Sequence, residues 1–176
     1  MKIALLLLAS LLDQKLDEVA RIASIMVDGE ECKRIQKREV IHEMFHPDPR
    51  DKWSAADNYA VNHEPYIRVK KTLIRLSRLV DFPCDVNLWM PLPQDNKIHV
   101  VIRNSNEMSQ FWPWGALMQD TPAPMKKVLE TGERVRVSQR PGMVSVIAPV
   151  RDSLGDIVAL VEVVGTEKLN QHENVK

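Results

Sequence analysis

Two histidines one helical turn apart, His42 and His46, with Glu43 beside the first, come nearest to a chemical motif. Imidazoles at i and i+4 can share a metal, and a zinc hydrolase adds a glutamate next to the first and a third ligand downstream. Pro47 disfavours helix at His46, so the pair lacks the mid-helix setting such a motif needs. Solvated surface histidines are the alternative, and no metal site is assigned. Cys32 and Cys84 fit no zinc, CxxC or haem spacing. A disulfide between them and two buried thiols both remain open. There is no Gly-x-Ser-x-Gly, no Cys/His pair in a local signature, and the six glycines do not cluster into a phosphate cradle. The residues therefore point away from an enzyme and from a bound cofactor.

The chain that must position any site has 176 residues, 24 Lys+Arg against 24 Asp+Glu, and 44% hydrophobic residues. That length suits one compact core. Zero net charge gives no general attraction to nucleic acid or anionic lipid. Ile3 to Leu12 is almost wholly apolar but too short to span a bilayer, which needs about 20 apolar residues. Leu8-Ala9-Ser10 makes an indifferent leader cleavage site. Instead the spacing of Leu5, Leu8, Leu12, Leu16, Val19, Ala23 and Met26 predicts one long helix, ending at Asp28-Gly29 with Gly29 as a left-handed cap. Its Leu-rich first turns are expected to project toward a partner helix or a membrane.

Residues 30–44 read as one short, mostly exposed helix with Ile35 and Val40 as its apolar positions, and Phe45 to Asn58 as a loop. Tyr66, Val69, Leu73, Leu76 and Val80 give the stripe of a second long helix, with Pro65 in its first turn and its end before Pro83. Lys70, Lys71, Arg75 and Arg78 interrupt that stripe and read as a solvated face. Beyond Pro83 the period falls to two. Asp85 to Pro91 and Lys97 to Arg103 form a hairpin around Gln94-Asp95-Asn96. Residues 104–121 read as an irregular insertion, 124–131 as a short helix stopped by Gly132, and 133–138 as a strand. Met143 to Arg151 and Ile157 to Gly165 are strands apolar on both faces, hence covered on both sides. The expected fold is α+β: a five-stranded antiparallel sheet packed on long N-terminal helices, divided as residues 1–28 (signalling helix) and 29–176 (domain).

Strict alternation along the hairpin places Val86, Leu88, Met90, Ile98, Val100 and Ile102 on one face, toward the helices. The other face then carries Asn87, Trp89, His99, Val101 and Arg103, looking toward the insertion that holds Trp112 and Trp114. A few polar groups among aromatics is the composition of a small-molecule pocket, with Met143, Ser145 and Ile147 as its floor. Arg103 is suited to bidentate pairing with a carboxylate, which makes an anionic ligand the expectation. The site residues are thus Trp89, His99, Arg103, Trp112, Trp114 and Ser145, with no catalytic residue and no metal ligand. The alternative is a hydrophobic lid pinning the insertion, with Arg103 facing solvent.

This arrangement resembles the Cache family, the PAS-like extracytoplasmic sensor domains of bacterial receptors, in its single-domain form. Leu16 to Ile35, with Asp28-Gly29, looks like the family's long first helix, and Tyr66 to Leu79 like the helix before its first strand. Most specific are Pro124-Met125-Lys126-Lys127-Val128-Leu129-Glu130-Thr131-Gly132-Glu133 and the run from Val144 through Ala148-Pro149-Val150-Arg151-Asp152-Ser153-Leu154-Gly155 to Val163. These are similar to the family's closing strands, a close shared with GAF and other PAS-like domains. The resemblance implies a sensor domain of a signal-transduction receptor that binds a small metabolite without catalysis, in a periplasmic or membrane-associated setting. It implies a standalone module or a piece of a receptor, and the Leu-rich stripe of residues 3–27, longer than one domain can cover, makes a homodimer through that helix the expectation. A cytoplasmic GAF-like regulatory or dimerisation module is the alternative, and a structural interaction domain with a filled core is a third reading.

Overall fold

The computed structural model describes residues 2–46, 61–92, 94–112 and 118–166, with side chains from Leu11 onward. Among these residues the fold is α+β, with five helices and one six-stranded antiparallel sheet. The helices are α1 Lys2–Met26, α2 Gly29–Ile35, α3 Arg38–Phe45, α4 His63–Ser77 and α5 Ala123–Thr131; the strands are β1 Cys84–Pro91, β2 Lys97–Ile102, β3 Met118–Asp120, β4 Val135–Val137, β5 Met143–Arg151 and β6 Ile157–Thr166. The sheet runs β3-β2-β1-β6-β5-β4. The hairpin and the last two strands lie where their patterns put them. The expectation of five strands is corrected to six, because Met118–Asp120 pairs with Lys97–His99 at the sheet edge.

One face of the sheet carries the main core. Leu12, Leu16, Val19, Ala20, Ala23 and Val27 recur every three or four residues along α1 and are all buried. They pack with Val69, Leu73 and Leu76 of α4 onto Val86 and Leu88 of β1, Val146 and Ala148 of β5, and Val161 and Val163 of β6. Full burial of each valine or leucine among them stabilises by roughly 1.5–3 kcal/mol. No helix among the described residues is long and apolar enough to cross a membrane. The opposite face carries a smaller core of Trp89, Ile147 and Leu160 under Phe111 and under Met125 and Val128 of α5. Gly132 ends α5 as expected: its φ of 71° is the left-handed conformation, and its N–H donates to the Val128 carbonyl at 2.8 Å.

Three local expectations are corrected. Gly29 does not cap α1 but opens α2, where a Cβ would overlap the Arg151 carbonyl oxygen; close approach of two backbones, not a positive φ, requires glycine there. Asp28 caps α2 instead, its Oδ1 accepting from the N–H groups of Glu30 at 2.8 Å and Glu31 at 3.2 Å. Residues 30–44 are not one helix, since Gln36 leaves the helical path to bridge Val61. The break lets Ile35 and Val40, five apart and therefore off a common helical face, both be buried. Val80 falls beyond the end of α4 yet still packs against the main core.

Candidate functional site

The hairpin does not alternate strictly. Leu88 pairs with Ile102 and Trp89 with Val100, so Val101 is an extra residue in β2, a bulge. Below it every side chain changes face. Ile98 and Val100 therefore join Trp89 in the smaller core, while Val101 packs against the main one. His99 alternates with Ile98 and Val100, so it lies on the helix side with its cross-strand partners Met90 and Met118. This corrects the expected faces of Ile98, His99, Val100 and Val101, while Val86, Leu88, Met90 and Ile102 remain on the helix side and Asn87 and Trp89 on the other. His99 is fully buried, and that burial pushes its pKa down to about 4.

The face opposite the helices is covered by residues 104–112, held by side chains of the sheet. Glu162 of β6 is at the centre, fully buried. Its Oε2 accepts from Trp89 Nε1 at 3.1 Å and Ser109 Oγ at 2.6 Å, and its Oε1 from the Gln110 N–H at 2.8 Å and Ser145 Oγ at 2.9 Å. Burial drives the Glu162 pKa up, partly offset by those four donors. Asp85, equally buried, accepts from Asn106 Nδ2 and the Met108 N–H, both at 2.9 Å. Asn87 donates to the Met108 carbonyl at 2.8 Å and accepts from the Asn104 N–H at 3.1 Å. Alternation along β1 thus presents Asp85 and Asn87 to one segment that supplies their hydrogen-bond partners, and Trp89 to Glu162 beneath it. The space expected to be a pocket floor at Ser145 and Ile147 is occupied by Ser109, Gln110 and Phe111, and the Phe111 ring meets Trp89 edge-on at 6.4 Å.

An open cavity of about 610 Å³ lies to one side, between α4 and the C-terminal end of β2. Tyr66, Lys70 and Ile74 of α4 and Arg78, which caps its C-terminal end, form one wall. Val101, Arg103, Asn104 and Glu107 form the other. Arg103, just past β2, lays its guanidinium 3.9 Å above the Trp112 ring, and Lys70 is 5.5 Å from the centre of Tyr66. Neither cation has a carboxylate within 4 Å among the described residues, whereas Arg68 on the same helix pairs with both Glu31 and Glu64.

Of the expected site residues, Trp89 and Ser145 meet at Glu162, and Arg103 meets Trp112. His99 is on the other face, and Trp114 lies outside the described residues. Glu162 and Asp85 were not anticipated, although a lone acid between Val161 and Val163 in a strand covered on both sides is a readable signal. The loop read over Phe45 to Asn58 falls largely outside the described residues. His42 and His46 stack at 4.4 Å between ring centres, and no three metal-binding side chains cluster among the described residues. Cys32 and Cys84 are buried free thiols, and burial pushes both up to about 12. Compared with known proteins, the chain matches no family model and no curated protein.

Proposed function

We propose that this chain is a ligand-binding sensor domain of the Cache-type, PAS-like class, taking up a small anionic metabolite without catalysis. The observation that carries the proposal is Arg103, a guanidinium stacked on Trp112 with no carboxylate partner among the described residues, opening onto a cavity of about 610 Å³. Stacking holds the guanidinium plane and leaves its N–H edge for an acceptor. That volume lies within the usual range for small-molecule sites. Arg103 also leads directly into the 104–112 segment held by Asp85, Asn87 and Glu162, so a ligand at Arg103 pulls on the segment covering the sheet. Arg134 beside β4 and Arg136 on it pair with Asp17 and Asp13 of α1, both at 2.9 Å, which joins the far edge of the sheet to the first helix. Ligand binding that favours one position of the segment would shift the population of α1 positions along this path. A homodimer through α1 and an extracytoplasmic setting complete the proposal; the disulfide that would favour that setting is not formed.

The test is a thermal-shift screen of the purified chain against small carboxylates, amino acids, purines and divalent metals, because a ligand of the folded state alone raises Tm with concentration. Stabilisation by a carboxylate or amino acid that vanishes in Arg103→Ala is expected. A filled sheet face also supports a second reading, an interaction domain with no small ligand, and silence across the panel would favour it.

A further inference from the structure

Lys70 on α4 and Arg78 at its C-cap lie eight residues apart, roughly 12 Å along the helix axis, and both line the cavity that Arg103 enters from the other side. Glu107 is the one acid among its lining residues. None of these four side chains has an ion-pair partner among the described residues, although α4 itself carries a paired Arg68 and α1 a paired Lys15. The cavity wall therefore holds three cations against one carboxylate, an uncompensated charge of two. Lys70 is half-buried over Tyr66, so two of the three cations are supported by aromatic faces in place of acids. Such support orients a cation without neutralising it, which keeps its full attraction for a bound anion.

From this we infer that the site takes a ligand with two negative charges, one read by Arg103 and the other by Lys70 and Arg78, an assignment that rests on the anion-sensor reading above. Both a dicarboxylate and a phosphomonoester offer this chemistry. Arg78, which is exposed, supplies reach, and Lys70 supplies a fixed point charge. An anion spanning the two walls would tie α4 to the start of the 104–112 segment.

The experiment is calorimetric titration of the full chain with succinate, glycerol phosphate and acetate at fixed low ionic strength, repeated for Lys70→Gln, Arg78→Gln and Arg103→Ala. Succinate or glycerol phosphate is expected to bind at least about tenfold more tightly than acetate, and whichever is tighter identifies a carboxylate or a phosphoryl ligand. Lys70→Gln and Arg78→Gln should each remove most of that preference, weakening the dianion several-fold more than acetate, with the free protein still folded by its Tm. Equal binding of mono- and dianions would overturn the inference. So would dianion binding that is lost in Arg103→Ala but intact in Lys70→Gln and Arg78→Gln, an outcome that leaves the sensor reading standing. Absence of binding by all three anions would overturn both.

Discussion

Glu162 shows how one side chain fastens a covering segment to a sheet. Truncation in Glu162→Ala strips the acceptor from the Trp89 indole and the Gln110 N–H, each left buried at a cost of about 1–3 kcal/mol. A loss of roughly 3 kcal/mol or more in urea unfolding is expected, with a smaller loss in Glu162→Gln, which keeps one acceptor oxygen. The pH dependence has a definite sign. A carboxyl whose pKa is raised on folding binds its proton more tightly in the native state, so its contribution is greatest below its usual value near 4.5 and declines as pH rises through the folded value. His99 acts the other way. With its pKa lowered to about 4 from 6.5, the folded state rejects a proton the unfolded chain accepts, so stability is lost as pH falls through that interval. Urea midpoints of His99→Gln between pH 6.5 and 4 should fall much less than those of the parent chain. His99 could not be placed from alternation, because that rule assumes regular pairing and the bulge at Val101 reverses the faces of half a strand, whereas Glu162 lies in a regularly paired stretch of β6.

At the scale of elements, backbone contact decides more than propensity does. The α2 helix lies against the turn between β5 and β6, where Lys33 pairs with Asp152 at 3.0 Å and Ser153 Oγ donates to Glu30 at 2.7 Å. Gly29→Ala would force that helix away from the Arg151 carbonyl, and a loss of about 1–3 kcal/mol is expected, the usual cost of overpacking. Asp28→Ala, which removes only the cap, should cost about 1 kcal/mol, and comparing the two by chemical denaturation separates close approach from capping. The strands β5 and β6 were legible because residues such as Val146, Ile147, Leu160 and Val161 alternate between two apolar layers. The role of Gly29 was not: an Asp-Gly pair after a helix signals a cap equally well whether it ends one helix or starts the next.

For the whole molecule, the layout places a covered sheet between a long first helix and a segment leading from the candidate site. Along α1, Leu11, Ile25 and Met26 are exposed large apolar residues, at 49%, 69% and 60%. The proposed dimer would cover them, so light scattering should give twice the chain mass for the parent and a monomer for Leu11→Lys combined with Ile25→Lys. A monomer in both cases would remove dimerisation from the account. The sequence reading brought Arg103 and Trp112 together, as the structure does, but expected the pocket under the insertion, whereas the cavity lies beside α4. It missed that the insertion's own Ser109, Gln110 and Phe111 fill that space, because contacts between distant segments leave no local pattern. The most direct test of the anion-sensor proposal is amide chemical-shift mapping during titration with the carboxylate that gives the largest thermal shift. Saturable changes concentrated in residues 66–78, along α4 and its cap, and in 101–107 are expected, with weaker ones spreading toward Ser109 and Gln110. Saturable changes confined to other parts of the chain, or none at all, would contradict it.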